Sequence, residues 1–394
     1  MEIRSIVRFL LFKTYERRSQ MNKILKCLSN KAICVAFVTL GAMSVCVAGI
    51  REDLKDDNGN VVGYKVTRLG IGKDETAVVF TKAGAEIPWT VPADLENVQF
   101  LVVAGGGGGG GAANKGENAG AGGGGGGVVT GVIKSLTEGK TLTLMVGEGG
   151  EGGLFTESND DKAGASISAG KKSYFKLNTI QDVTAYGGGR DLGVHQYGST
   201  GGSRGGNRHD GLQGSGANQG VISNKIDIVS STLYGNLGGN SDSNTYCFGA
   251  GGGGGATGQG GGRKQDNHYD PGNKDLTGGY GGAGLASDIT GEEIVYGSGG
   301  GGGTTGSGYG NLDTGKAGVG AGDGAIAYKN NNRSLIVIRS YEGSTTAGNG
   351  GNGSPNQGGG GGGGAYGNGG NGGSGIVVFR FKDPIKPGFK VIVR

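Results

Sequence analysis

Five uninterrupted glycine runs, at 105–111, 122–127, 251–255, 299–303 and 358–364, constrain this chain more than anything else in it. Glycine loses more backbone freedom on folding than any other residue, at about 0.5–1 kcal/mol beyond alanine. Thirty such residues therefore cost more than the net stability of an ordinary domain. Either these runs are unfolded linkers, or they gain something that only a bare backbone can gain. Their phasing favours the second reading. "GNGGNGGSG" places Asn368, Asn371 and Ser374 at every third position, "GNGGNGSP" does the same with Asn349, Asn352 and Pro355, and "GYGGAGLA" with Tyr280, Ala283 and Ala286.

A left-handed helix of the polyproline type has three residues per turn and no internal hydrogen bonds, so its N–H and C=O groups point outward. Side chains at every third residue line one edge of such a helix and leave two edges bare. Bundled rods of this kind can bond laterally through backbone alone. This predicts a polyglycine-II bundle with the pure runs central and the phased tracts at the rim. Gly108, Gly125, Gly253, Gly301 and Gly361, each inside a pure run, are its structural positions. Collagen is excluded, since it needs a strict Gly-X-Y period with plentiful proline and the chain has six prolines in 394 residues.

Between the glycine tracts lie strand-like segments. "NVQFLVVA" (97–104), "VVTGVIKSL" (128–136), "KTLTLMVG" (140–147), "SYFKLNTIQDVTAYG" (173–187), "SLIVIRSY" (334–341), "GIVVFRFK" (375–382) and "FKVIVR" (389–394) are rich in Val, Ile, Leu and aromatics. In "KTLTLMVG", Leu142, Leu144 and Val146 share one face. In "GIVVFRFK", Val377, Phe379 and Phe381 oppose Arg380 and Lys382. Such alternation reads as half-buried antiparallel strands. Asn58-Gly59 marks a hairpin turn. The expected class is all-β: an antiparallel β-sandwich with the glycine bundle inserted.

Charge and cysteine content describe a compartment. Eight of the 37 Lys/Arg and two of the 33 Asp/Glu lie in residues 1–49, leaving 29 basic against 31 acidic residues in the remainder, which is no footprint for nucleic acid. The basic residues Lys23, Lys26 and Lys31 precede an apolar stretch from Ala32 to Ala48, and Cys46-Val47-Ala48 offers a small-residue cleavage site. That is the layout of a secretory signal peptide. If left uncleaved, it would be the chain's one route to a membrane. Removal of residues 1–49 takes Cys27, Cys34 and Cys46 and leaves Cys247, so no internal disulfide is expected. The expected organisation is an extension with a signal over 1–49, a short β region over 50–86, a glycine-rich sandwich over 87–382 and a terminal strand over 383–394.

Trp89 and Pro92 in "IPWTVPADLENVQFLVVAGGGGGGG", Gly147 in "KTLTLMVGEGGEGG" and Gly375 to Val377 in "GGSGIVVFRFK" carry a resemblance to the glycine-rich domain of secreted and surface bacterial proteins. More distantly the chain is similar to the extracellular glycine-rich segment of the anaplastic lymphoma kinase receptor family. That resemblance implies a sandwich of tumour-necrosis-factor type with polyglycine helices in its loops and a protein ligand.

Chemical motifs fail on context. "GGSRG" meets Gly-x-Ser-x-Gly around Ser203, but no strand precedes it and no helix follows. "GNLDTGKA" (310–317) has Ala317 where a phosphate loop needs Ser or Thr. "GAGDGAIAY" breaks the calcium nonapeptide pattern at Val319 and Ala321. His195, His209 and His268 share no ligand spacing. The expectation is therefore no catalytic residue, no metal and no cofactor. Tyr197, Arg204, Arg208, His209, Tyr246 and Tyr269, in polar stretches between tracts, are the residue types of binding hot spots. Two functions follow: a structural or adhesive surface module, or a soluble carbohydrate- or protein-binding protein using loops 190–248 and 263–278.

Overall fold

The computed structural model describes residues 50–68, 74–112, 119–156, 167–177, 182–191, 199, 201–207, 217–223, 227–240, 249–262, 276–307, 312–313, 315–329, 335–339 and 348–384. Among them the chain is all-β, with no helix. Its strands are β1 (Ile50–Lys55), β2 (Val61–Arg68), β3 (Glu75–Phe80), β4 (Glu86–Thr90), β5 (Leu95–Val103), β6 (Val128–Leu136) and β7 (Thr141–Met145). They continue with β8 (Ser173–Lys176), β9 (Val183–Ala185), β10 (Gly220–Ile222), β11 (Ile228–Tyr234), β12 (Leu276–Thr277) and β13 (Leu285–Ser287). The last are β14 (Ile294–Tyr296), β15 (Thr304–Ser307), β16 (Leu312–Asp313), β17 (Ile326–Lys329), β18 (Leu335–Arg339) and β19 (Ile376–Lys382).

Two antiparallel sheets dominate, a seven-stranded one in the order β1-β2-β3-β19-β5-β6-β11 and a five-stranded one in the order β10-β9-β8-β7-β4. The 50–86 β region is continuous with the rest: β3 pairs with β19 from Glu75↔Lys382 to Phe80↔Val377. The predicted turn at Asn58-Gly59 closes β1 on β2. The Asp56 carboxylate accepts the N–H groups of Asn58 and Asn60, and Gly59 takes φ 80°.

Alternation builds the core between the sheets. Phe80, Phe100, Val102, Phe379 and Phe381 from the larger sheet meet Ile87, Leu142, Leu144, Phe175 and Val183 from the smaller one. Half-buried Trp89 stacks on Phe379 with ring centroids 5.0 Å apart, and Phe175 meets Phe379 edge-on at 5.2 Å. The expectation of half-buried strands fails at β5 and β19. Their other face is buried as well, with Leu101, Val103, Ile376 and Val378, joined by Val79 of β3, lying under Ile289, Tyr296 and Ala256. The β13–β14 hairpin supplies that cover. On β19 only the last two residues of that face follow the polar-face expectation: Lys382 is exposed, and Arg380 pairs Nε with the Glu75 carboxylate at 2.9 Å.

The stretch 190–248, read as loop, contributes β10 and β11, which end the two sheets. "FKVIVR" (389–394) lies outside the described residues. Parallel pairing is confined to short pieces among the described residues: β12 with β16, β15 with β17 and the single bridge Ala83↔Val146.

The glycine tracts are neither α-helical nor paired in ladders; they lie side by side and bond laterally. Along 105–112 the N–H groups turn through three neighbours in rotation. Gly105 and Gly108 donate to Lys171 and Ser168, Gly106 and Gly109 to Gly373 and Gly370, and Gly107 and Gly110 to Gly124 and Ala121. The carbonyls accept from three further tracts, with donors Gly188, Gly150 and Gly361. One tract thus has six neighbours, and its bonds repeat every three residues.

The other runs do the same. Gly125 donates to Gly254 at 2.9 Å, Gly253 to Gly300 at 2.8 Å, Gly301 to Gly322 at 3.0 Å and Gly361 to Gly107 at 2.9 Å. The approach is close enough to require glycine. A Cβ on Gly108 would sit 1.9 Å from the Glu151 carbonyl oxygen, and one on Gly301 would sit 1.7 Å from that of Gly315.

At the rim, side chains take the N–H groups that no neighbouring backbone reaches. Asn352 Oδ1 accepts from Asn371 N–H, Asn371 Oδ1 from Gly152 N–H and Asn368 Oδ1 from Phe155 N–H, at 2.7–2.8 Å. The phased asparagines are therefore edge caps as well as spacers.

Candidate functional site

The direction of each tract decides where the chain reverses. From β5 the chain runs outward along 105–112 and returns along 119–127 to β6, and the bonds of Gly107 to Gly124 and Gly110 to Ala121 fix the two as antiparallel. Residues 203–206 run antiparallel to 122–125, hence outward, and 236–239 run parallel to 204–207. Residues 250–254 return and 299–303 go outward again.

At the near end the tracts pass into strands or tight turns, such as those at Gly320 (φ 82°) and Gly358 (φ 68°). At the far end the tract tips are tied to one another. Ala250 N–H donates to Gly303, Gly303 N–H to Gly120, and Gly251 N–H to Asn207. Asn207 Nδ2 donates to Asn240 Oδ1 at 2.8 Å. Ala121 N–H donates to the buried Asp191 carboxylate at 3.2 Å. Ala119, Ala121 and Ala250 close the lattice there as a small apolar plug.

The described residues on both sides of 113–118, 192–198, 241–248 and 263–275 lie at this end, whereas 208–216 leaves it at Asn207 and re-enters at the near end, where Asn218 N–H donates to Gly201. Of the residues singled out for recognition, Tyr197, Arg208, His209, Tyr246 and Tyr269 lie in those segments, outside the described residues. Arg204 is inside the lattice and 4% exposed, with its N–H donating to Asn236 and its carbonyl accepting from Gly254. A loop residue in the sequence reading, it is part of a packed tract.

Ser203 is fully buried among glycine tracts, and its Oγ accepts from Asn236 N–H at 3.4 Å. Nothing of a strand-turn-helix elbow surrounds it. Among the described residues no group of three or more His, Cys, Asp or Glu could hold a metal ion.

The perturbed ionisable groups sit on the sheets. Hydrogen bonds from the Asn60 side chain and backbone, then Lys82, hold Asp56 down at about 2. Burial, then the Glu86 carboxylate it donates to, pushes the Tyr174 phenol up to about 12. Lys176 and Tyr174 in turn lower Glu86. Burial pushes Tyr296 up to about 12. Each is explained by a structural hydrogen bond or by packing.

Sheets, laterally bonded glycine tracts and tied tips define a glycine-rich β domain. A family model for the glycine-rich domain matches residues 81–382, and the chain belongs to that family. No curated protein matches the sequence.

Proposed function

We propose that this is an exported, non-enzymatic adhesive module of a cell surface. In this reading the sheets form a sandwich of tumour-necrosis-factor type, the tracts are polyglycine-II helices, and the lattice is a rigid pedestal for recognition loops. The observation that carries it is the bonding of the far tract tips to one another, which brings the attachment points of several polar segments to one end. Loops on a rigid scaffold are where recognition concentrates. The tyrosines, arginine and histidine of those segments suit a protein or glycan surface. Export is supported by the sequence alone, where Lys23, Lys26 and Lys31 precede the apolar stretch from Ala32 to Ala48 and its small-residue site.

The test replaces 241–248 and 263–275 with short Gly-Ser linkers, leaving every described tract intact. Whole-cell and glycan-array binding should be lost while the unfolding midpoint stays within about 2 °C of the parent, as surface changes away from packing permit. Binding that survives both replacements would refute loop-mediated adhesion. Mass analysis of the secreted protein should place its N-terminus near residue 49.

A further inference from the structure

Four strands end the two main sheets, and three of them are blocked against further pairing. β1 carries Arg51, Glu52, Asp53 and Lys55 and is irregular between Leu54 and Lys55. β4 contains Pro88, which has no N–H to give. β10 is three residues long. Charges, proline, irregularity and shortness are the devices by which sheet edges avoid adding strands.

β11 has almost none of them. It is seven residues, Ile-Val-Ser-Ser-Thr-Leu-Tyr, without charge or proline, and residues 229–232 are exposed. Its single irregularity falls between Ile228 and Ser230, so 230–234 pair regularly with β6 and form an edge that no described strand pairs on its other side. Leu233 packs against the intersheet core and Tyr234 against the outer cluster, which holds the strand in place from both faces.

We propose that β11 pairs antiparallel with β11 of a second copy, about a two-fold axis at Thr232. The occupant follows from the pattern of the edge itself. With Thr232 opposite Thr232 of the other copy, Ser231 faces Leu233 and Ser230 faces Tyr234. Threonine opposite threonine is a favourable cross-strand pair, no like charges meet, and the irregular residue is left out. An isologous contact of this kind closes after two copies, so it yields a dimer rather than a fibre. Five residues on each side bury less than a permanent interface needs, so the dimer is concentration-dependent.

The experiment is sedimentation equilibrium of the full chain and of Thr232→Val and Thr232→Lys. It is joined by oxidative cross-linking of Thr232→Cys in a chain whose Cys27, Cys34, Cys46 and Cys247 are replaced by serine. Residues directly opposite in an antiparallel pair have Cα atoms about 4.5–5.5 Å apart, within disulfide reach. The expected result is a monomer–dimer equilibrium that Thr232→Val keeps and Thr232→Lys weakens at least tenfold, with Thr232→Cys giving a covalent dimer. A chain that is monomeric at every concentration, with Thr232→Cys uncross-linked, overturns the proposal. So does a dimer that Thr232→Lys leaves intact. Thr232 is exposed on an edge strand, and a thermal melt of each variant confirms that it is folded.

Discussion

Gly108→Ala is the smallest change that separates a packed glycine tract from a linker, because the two readings predict opposite signs. In a linker, alanine restricts the unfolded chain and stabilises by about 0.4–1 kcal/mol or does nothing. In the lattice the added Cβ lies 1.9 Å from the Glu151 carbonyl oxygen and 2.5 Å from its carbon. Ordinary C···O contacts begin near about 3.3 Å, so the 148–156 tract must retreat by roughly 1.4 Å. That tract donates to the 105–112 tract through Gly150 to Gly106 at 2.8 Å and Gly153 to Gly109 at 2.9 Å. Both bonds would then exceed hydrogen-bonding distance. Buried groups left unpaired cost about 1–3 kcal/mol each, so two broken bonds cost about 2–6 kcal/mol, a large share of an ordinary domain's stability. Urea unfolding followed by circular dichroism measures it. Gly59→Ala is the control: nothing lies within 4 Å of its Cβ position, and only its left-handed φ of 80° is strained, at about 1 kcal/mol. A Gly108→Ala protein as stable as the parent, or more so, would refute the packed-tract account.

Four further outcomes are expected. Trp89→Ala removes the stack on Phe379 at 5.0 Å and on Phe381 at 6.5 Å and should cost about 2–4 kcal/mol in urea unfolding. Asn371→Ala removes the acceptor for Gly152 N–H and should cost about 1 kcal/mol, with the Gly152 amide exchanging faster while that of Gly107 is unchanged. Asp56 at about 2 lies below its unfolded value. Its contribution is therefore full above about pH 4 and lost as pH falls toward 2, and the protection of the β1–β2 hairpin amides relative to their intrinsic exchange rates should drop over that window in the parent but stay flat in Asp56→Asn. Tyr296, raised to about 12, stays neutral in the folded protein while the unfolded phenol ionises from about pH 10. Stability should fall between those values, and Tyr296→Phe should make that fall shallower, leaving the share of Tyr174, which is raised to about 12 as well.

The glycine phasing made the lattice legible as a kind of structure but not as an arrangement. A three-residue period says that Asn368 and Asn371 share an edge. It does not say that this edge faces Gly152 and Phe155, more than two hundred residues away in sequence. The strands were legible where one face meets the core and the other meets water, as in Leu142 and Leu144 of β7. β5 and β19 misled because a distant hairpin covers their outer face, and nothing local in "FLVV" or "IVVF" announces Tyr296. β11 was missed for the opposite reason: its middle residues 229–232 are exposed, so it has little apolar alternation to display. Arg204 shows the limit of reading residue type alone. An arginine in a glycine-rich polar stretch suggests a solvated contact, whereas its backbone is committed on both sides to neighbouring tracts.

Sheet and lattice depend on each other through register. The tract 105–112 follows β5 without a break, 119–127 leads directly into β6, and 367–375 leads directly into β19. β5 is paired with both β6 and β19, so the three tracts are carried in fixed stagger by the ladders Val103↔Val128 and Val103↔Ile376. In a tract whose bonds repeat every three residues, a slip of one residue turns each N–H by about 120° toward the wrong neighbour. The same slip in a strand moves its apolar set to the other face. A misregistered β5 is therefore penalised twice, in the core at Phe100 and Val102 and in the lattice at Gly106 to Gly109. A pure glycine run by itself has no side chain with which to choose a register. The alternating strands at its base supply that choice, which is why the central tracts can afford to be featureless.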